Sequence, residues 1–434
     1  MLSDKSRREA YMFEAKDILT LIGIPVEKVK ALQVIKDDEE SIIRIELLDI
    51  KTFCPYCGST QTEIKDYYLV RINNSIIKHN KLTIIIRVRR YRCKKCGKSF
   101  KQNYEFVEKG ASISNAVKGA ILDDLKEMLT MAQIAKDHNV SDMTVIRIFD
   151  KCILPQLALK MSEIICIDEF CFKHNKKYGK YPCVITNPLT GKIIDIIESR
   201  WKNILIDYFS KVKLPERRYV KYFVSDMNET YRQIKNMFFH DAIHIVDRFH
   251  LIRLFNDAIT AIRTRIIKQE ACFDLKEYRY LKTNWKVFLK DRIELSKCKY
   301  TDKWGIVVDP TIALDKCLSK YPDLYYAYWT KEEFRRETKR LMYYGKADEL
   351  VNFYETKLRN STIDEMVKIG RTFTNWKREI INGLTQNPYS IRITNAIAES
   401  MNNKIQTLID LCYGIPKFER MRKRVLYINR NQKD

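Results

Sequence analysis

The spacing of apolar residues changes several times along the chain, and each change marks a different kind of element. Tyr11–Ile22 carries apolar positions at helical spacing, whereas Ser41-Ile42-Ile43-Arg44-Ile45-Glu46-Leu47-Leu48 alternates as a strand does. Two more strand-like runs, Tyr67–Ile72 and Leu82–Tyr91, flank the polar stretches Asn73-Asn74-Ser75 and Lys78–Lys81. From 112 to 152 the period is helical. Beyond 163 it returns to strands: Glu163–Phe170, then 181–186, then 192–198, with the turn Asn187-Pro-Leu-Thr-Gly191 between the last two. Three consecutive antiparallel strands are expected. A helix Asn203–Val212, an apolar strand from Tyr219 ending at Asp226, a helix to about Phe239 and a strand Ala242–Val246 follow, which together indicate an α/β layer.

The helical segment has chemically marked ends. Thr130 with Gln133 forms a capping box, His138-Asn139-Val140 supplies a short turn, and Ser141 caps a second helix. In that helix Val145, Ile148, Phe149 and Cys152 share one stripe, leaving Asp142, Thr144 and Arg147 for a DNA groove. A plain helical hairpin in a core would show the same stripe, so the reading as a helix-turn-helix draws on what surrounds it.

Composition supplies that context. The 434 residues are 45% hydrophobic, enough for several folding units, and carry a formal net charge of +24 spread along the chain. Such a field favours a polyanion, with double-stranded DNA the first partner to consider. An anionic membrane is disfavoured because no apolar run approaches the roughly 20 residues of a spanning helix. The start lacks a signal-like apolar stretch, so a cytoplasmic location is expected. With 12 Gly and 10 Pro there is no low-complexity linker.

Four of the 12 cysteines form two CxxC pairs, Cys54/Cys57 and Cys93/Cys96, each followed by glycine. Four thiolates suit a tetrahedral structural Zn²⁺. The interval between the pairs exceeds the roughly 15–20 residues of a compact module, but its two strand-like runs fit a zinc ribbon with a long hairpin. Within the second run Arg87, Arg89 and Arg90 are candidate phosphate contacts, although exposed arginines are often merely solvated. The other eight cysteines read as packing residues.

Asp168 ends one strand and Asp226 another, where adjacent strands would bring two acids to one metal ion. A third acid, Glu399, lies on a helix whose buried stripe is Ile397, Met401, Ile405 and Leu408; Glu399, Asn402, Asn403 and Gln406 share the other side. Taken singly, each acid reads as a solvated strand end or helix surface. Glu169, Glu229 and Asp247 compete for the assignment. Asp247 and His250 are taken as supporting neighbours of the site rather than ligands.

These blocks resemble the DDE transposases of bacterial insertion sequences, and among them the ISL-three family. The resemblance is carried by CPYCG…YRCKKCGKSF, the helix-turn-helix, IDEF with Asp168, VSDMNETY with Asp226, VDRFHLIRLFNDAI at 246–259, TNAIAESMNNKIQ with Glu399, and FERMRKRVLY. It implies a ribonuclease-H-like active site in which Asp168, Asp226 and Glu399 bind two Mg²⁺ or Mn²⁺ ions. Cleavage at element ends and 3′-OH strand transfer would follow without ATP or a covalent protein–DNA intermediate. The implied fold is multidomain α+β. Its parts are a segment at 1–50, the ribbon at 51–108, the helix-turn-helix at 112–156, and a catalytic core at 160–255. A helical insertion at 256–390 and a C-terminal core part with a basic tail at 391–434 complete it. The insertion's Trp, Tyr, Lys and Arg suit either DNA contact or a helical core.

Asn402, Asn403 and Lys404 are further DNA-contact candidates, and a homodimer on DNA is expected. The Glu399 helix must fold back so that its Asn402/Asn403 side lies beside the ends of the Asp168 and Asp226 strands. Two other readings compete: a non-catalytic DNA-binding regulator, and a nuclease or resolvase of the same fold that cuts without joining.

Overall fold

The computed structural model describes residues 17–20, 23–36, 40–49, 53–153, 160–173, 179–269, 276–298, 300–301, 307–344, 346–385, 396–411 and 417–431. Two compact units emerge, one of Met1–Gln156 with Thr407–Asp434, the other of Leu157–Gln406. The helix expected at 11–22 falls mostly outside the described residues, of which 17–20 are helical.

The first unit is built on a five-stranded sheet of β1 (Val29–Lys36), β2 (Ser41–Leu47), β3 (Thr62–Asn73), β4 (Leu82–Cys93) and β5 (Ser99–Lys101). Its order is β1-β2-β4-β3, with β5 on β4, and β2 runs parallel to β4. The expected boundary at residue 50 therefore does not hold. Ile43, Ile45 and Leu47 bury the same face as Ile72, Ile84, Ile86 and Val88, so the early strands extend the ribbon's sheet.

Three helices follow: α1 (Asn115–Asp124), α2 (Met131–Asp137) and α3 (Asp142–Cys152). Each begins at a hydroxyl cap, Ser114, Thr130 or Ser141. Only half of the expected capping box forms: Thr130 accepts from the Gln133 amide at 2.9 Å, but the Gln133 side chain turns to Asp137 at 2.6 Å. Asn139, at φ +51°, makes the left-handed turn between α2 and α3.

The polar stretch between β3 and β4 binds this turn. Asn73 Nδ2 donates to the carbonyls of His138 (3.0 Å) and Asn139 (2.7 Å), and the buried His138 ring bridges Ser75 O (2.8 Å) and Asp124 (3.0 Å). Ribbon and helix-turn-helix are thus welded at their shared edge. A last helix, α16 (Phe418–Asn431), also belongs to this unit, with Tyr427 packing into the helix-turn-helix core. The expectation that 391–434 forms a single part of the catalytic core therefore does not hold either.

The second unit begins with a mixed sheet of β6 (Ile164–Glu169), β7 (Cys183–Asn187), β8 (Lys192–Ile197), β9 (Tyr222–Ser225) and β10 (Ile243–Val246). Its order is β10-β9-β6-β7-β8. The first three strands are antiparallel, as the turn at Asn187–Gly191 requires, and β9 and β10 add in parallel. α4 (Lys202–Ser210), α5 (Leu214–Tyr219) and α6 (Glu229–Phe238) connect them, and Leu205, Phe209, Tyr231 and Ile234 cover the sheet face formed by Ile165, Ile167 and Phe223.

A helical region follows at once, starting at 248 rather than 256. It comprises α7 (Arg248–Gln269), α8 (Lys276–Thr283), α9 (Arg292–Lys297), α10 (Pro310–Lys320), α11 (Pro322–Tyr344), α12 (Ala347–Arg359), α13 (Asp364–Asn375) and α14 (Lys377–Leu384). Phe255, Phe288, Tyr328, Phe334, Tyr354, Phe373 and Trp376 are in its core, so many of its aromatics serve packing, while Trp285, Tyr325 and Phe353 stay exposed. α15 (Ala396–Leu411) carries the expected stripe, with Met401, Ile405 and Leu408 buried. No described helix is long and apolar enough to cross a membrane.

Candidate active site and metal centre

Parallel pairing sets the geometry of the acids. Cys166 on β6 stands opposite Val224 on β9, and Ser225 opposite Val246 on β10. Counting onward past the last paired residues, Asp168, Asp226 and Asp247 fall at matching positions at the ends of three neighbouring strands, which stand roughly 4.8 Å apart where they pair. By alternation they continue the sheet face made by Ile164, Cys166, Val224 and Ile245. The sequence offered Asp168 and Asp226 as ligands and Asp247 as a neighbour of the site; the strand register puts all three at matching positions. It is buried, and its Oδ1 accepts the Phe249 amide at 3.3 Å as α7 begins.

α15 reaches this row. Asn402 Nδ2 donates to Asp168 Oδ2 at 2.9 Å and to the Glu169 carbonyl at 3.2 Å, while Asp168 Oδ1 accepts the Glu169 amide at 2.8 Å. The helix therefore folds back as expected. Asn402, anticipated as a DNA contact, is instead occupied with Asp168; Asn403 and Lys404 on the next positions are exposed. Glu399 lies one turn earlier in α15, and its side chain is outside the described residues.

Burial dominates the electrostatics. It lifts Asp168 to about 6, with the charges of Glu169 and Asp247 adding and the Glu169 amide and Asn402 opposing. It lifts Asp226 to about 7, raised further by Glu169 and Asp168 and restrained by Arg200 and Arg253. Among the described residues Asp226 Oδ1, Asn402 Oδ1 and His250 Nε2 are buried without a hydrogen-bond partner. Buried oxygens left unsatisfied at these strand ends are what an oxygen-preferring divalent cation would complete, although among the described residues no three acid or imidazole ligand atoms converge as the four cysteines do. The His250 ring, on the first turn of α7, is held below its ordinary range by burial.

The competing acids separate cleanly. Both Glu169 oxygens are engaged, one by Tyr231 OH (2.8 Å) and the other by Arg200 Nη1 (2.9 Å), so Glu169 braces the strand end. Glu229 is largely exposed and pairs with Arg232 at 3.1 Å.

In the first unit the four cysteines converge. Cys54 and Cys96 sulfurs are 3.6 Å apart, as are those of Cys57 and Cys93, and all four lie within 4.8 Å of one another. Tetrahedral coordination at a Zn–S distance of about 2.3 Å puts sulfurs about 3.8 Å apart. Two matching turns aim them: the Gly58 amide donates to Cys54 O and the Gly97 amide to Cys93 O, both at 2.9 Å, with φ of +70° and +72° that glycine adopts without strain. The Cys96 amide directed at Cys93 lowers that thiol to about 6.

The arginines on β4 have different fates. Arg89, 3% exposed, donates to Leu47 O (2.7 Å) and Glu46 (3.1 Å), so it is a structural residue and not a phosphate contact. The sheet places β2 over its strand, which an isolated ribbon would leave open. Arg90 pairs with Asp66. Arg87 is exposed and stacks on Tyr67 with its guanidinium 4.2 Å from the ring centroid. On α3, Arg147 is exposed and Thr144 half-buried.

Compared with known families, residues 165–425 match the ISL3-type DDE family described as transposase, and residues 102–153 match the helix-turn-helix domain of transposase family ISL3. No curated protein matches the chain.

Proposed function

Given that the chain belongs to the ISL-three family of transposases, we propose that it cleaves DNA at the ends of its element and joins the freed 3′-hydroxyl to target DNA at a site formed by Asp168, Asp226 and Glu399. The observation that carries this is the acid row, with Asn402 of the Glu399 helix bonded to Asp168. The mixed sheet, three antiparallel strands then two parallel ones with the first and fourth adjacent, supports a ribonuclease-H-like core interrupted by a helical insertion.

The oxygen-only donor set fits Mg²⁺ or Mn²⁺, which when bound supply an activated attacking oxygen and charge stabilisation of the leaving one during in-line displacement. The residues' own contributions are distinct. Asp168 and Asp226 present carboxylate oxygens, and Asn402 fixes the orientation of Asp168. Glu169, held by Tyr231 and Arg200, keeps the β6 end rigid. Asp247 and His250 support the row from the start of α7, and Arg253, exposed on the same helix, offers a cation to the scissile strand. Two element ends per event call for two such sites, hence a homodimer on DNA.

In the first unit the tetracysteine cluster fits Zn²⁺ as a structural ion, which metal analysis of purified protein tests at one ion per chain. Arg87, Thr144 and Arg147 contact DNA in this reading, together with Asn403 and Lys404.

The deciding experiment incubates the protein with element-end duplexes and Mg²⁺ and maps the cuts, then supplies pre-cut ends bearing a 3′-OH. Discrete end cleavage plus joined product is expected. Cutting without joining would favour a nuclease. Binding without cutting, or an Asp168→Ala variant that still excises, would refute the mechanism.

A further inference from the structure

α16 arrives from the far end of the chain, yet it is bolted into the helix-turn-helix. Arg424, 1% exposed, donates through Nη2 to the carbonyls of Glu127 (2.9 Å) and Leu129 (3.0 Å), the segment between α1 and α2. Tyr427 OH donates to Leu122 O at 3.1 Å. Met421, Val425 and Leu426 are buried. The cost of sequestering a guanidinium is offset only where carbonyls receive it, so this seat is specific.

Its polar side faces α3. Arg420 grips Asp150 on α3 with two bonds, Nε to Oδ1 at 3.2 Å and Nη2 to Oδ2 at 2.7 Å. Lys417 and Lys423 lie three residues to either side of Arg420, on the same side of the helix, and both act on Asp150 electrostatically. Lys417 is exposed and Lys423 half-buried, and among the described residues neither makes an ion pair. Arg147 and Lys151 are exposed on α3 itself.

We propose that α16 and the residue before it are a DNA-contacting element of the first unit: Lys417 and Lys423 bind the phosphate backbone of duplex DNA beside α3, while Arg420 masks Asp150, a carboxylate at the end of α3 nearest them that would repel it. The family match for the helix-turn-helix ends at residue 153, whereas the transposase-domain match runs to 425 and takes in most of this helix. The occupant follows from charge: a strip of cations flanking a recognition helix complements phosphates spaced along a duplex.

The proposal rests on the DNA-transposition reading, and its test is independent of chemistry. Binding of the full chain to a short fluorescein-labelled duplex of arbitrary sequence is followed by anisotropy, without divalent metal, across a salt series. Lys417→Gln with Lys423→Gln should weaken binding and reduce the slope of log affinity against log salt by about 2, with melting unchanged. Lys211→Gln with Lys346→Gln removes the same charge from the second unit and should leave the slope unaltered. An equal loss in that control, or no loss in the first variant, overturns the proposal. Arg420→Ala should also weaken binding, and adding Asp150→Asn should restore it; failure of that rescue refutes the masking role. Absence of cleavage would leave these results standing and would count only against the catalytic reading.

Discussion

Asn402 Nδ2 stands 2.9 Å from Asp168 Oδ2, a hydrogen bond between residues 234 positions apart. It fixes one carboxylate oxygen and leaves Asn402 Oδ1 buried and open. Replacing Asn402 by Ala should lower metal-dependent cleavage roughly 10–100-fold, the usual penalty for removing a partner of a ligand. DNA affinity measured without metal should stay unchanged. Loss of both together would point to a fold defect instead.

The raised carboxylates predict a pH dependence of opposite sign to that of a salt-bridged acid. Asp168 and Asp226, at about 6 and about 7, hold protons more tightly in the folded state than in the unfolded one. Their favourable contribution is complete below the ordinary carboxylate range near pH 4 and is lost as pH rises through 6 and 7. Asp226→Asn should therefore stabilise the metal-free protein at pH 8, by about 1–2 kcal/mol after allowing for partial solvation, while abolishing cleavage. Thermal melting at pH 8, pH 5 and pH 3.5 checks the stability arm: the gain should be clearly smaller at pH 5 and vanish only below about pH 4.

Gly383 on α14 lies where a side chain cannot fit. A Cβ there would stand 2.3 Å from Val246 O, and the adjacent Asn382 Nδ2 donates to His244 O at 2.9 Å, so α14 closes the open edge of β10 at contact distance. Gly383→Ala should cost about 1–3 kcal/mol of stability and shift the strand end that carries Asp247. Unaltered melting and cleavage would refute this close packing.

Arg87 and Arg89, two residues apart on β4, should separate stability from binding. Arg89→Ala takes the guanidinium from the Leu47 carbonyl, leaves Glu46 with Lys30 and Arg87 alone, and opens a buried gap, and should destabilise the first unit by about 2–4 kcal/mol. Arg87→Ala should change melting by less than about 0.5 kcal/mol and weaken DNA binding. Denaturant titration paired with anisotropy distinguishes them.

These contrasts mark where sequence patterning runs out. An apolar run ending in an acid exposed β6 and β9, because a strand's period and its terminal charge are local properties. Asp247 was legible only as a neighbour of the site, because the pairing of β9 with β10 that aligns it with Asp226 is not a local property. The alternation around Arg89 is the same whether its polar side meets water or Glu46, and the partner strand lies in a segment that looked separate. β1 went unseen for a similar reason: no described side chain of this strand is fully buried, so nothing in its surroundings enforces a strict apolar alternation. FERMRKRVLY reads as a basic tail because Arg424 is counted among its polar positions, although the folded chain buries it.

The seating of α16 also bears on how the chain is made. The helix-turn-helix is translated by residue 152, but the helix that packs against its core begins at 418, after every residue of the second unit has been added to the chain. A growing chain would therefore already carry the residues of the second unit while the seat of α16 on the first is still empty.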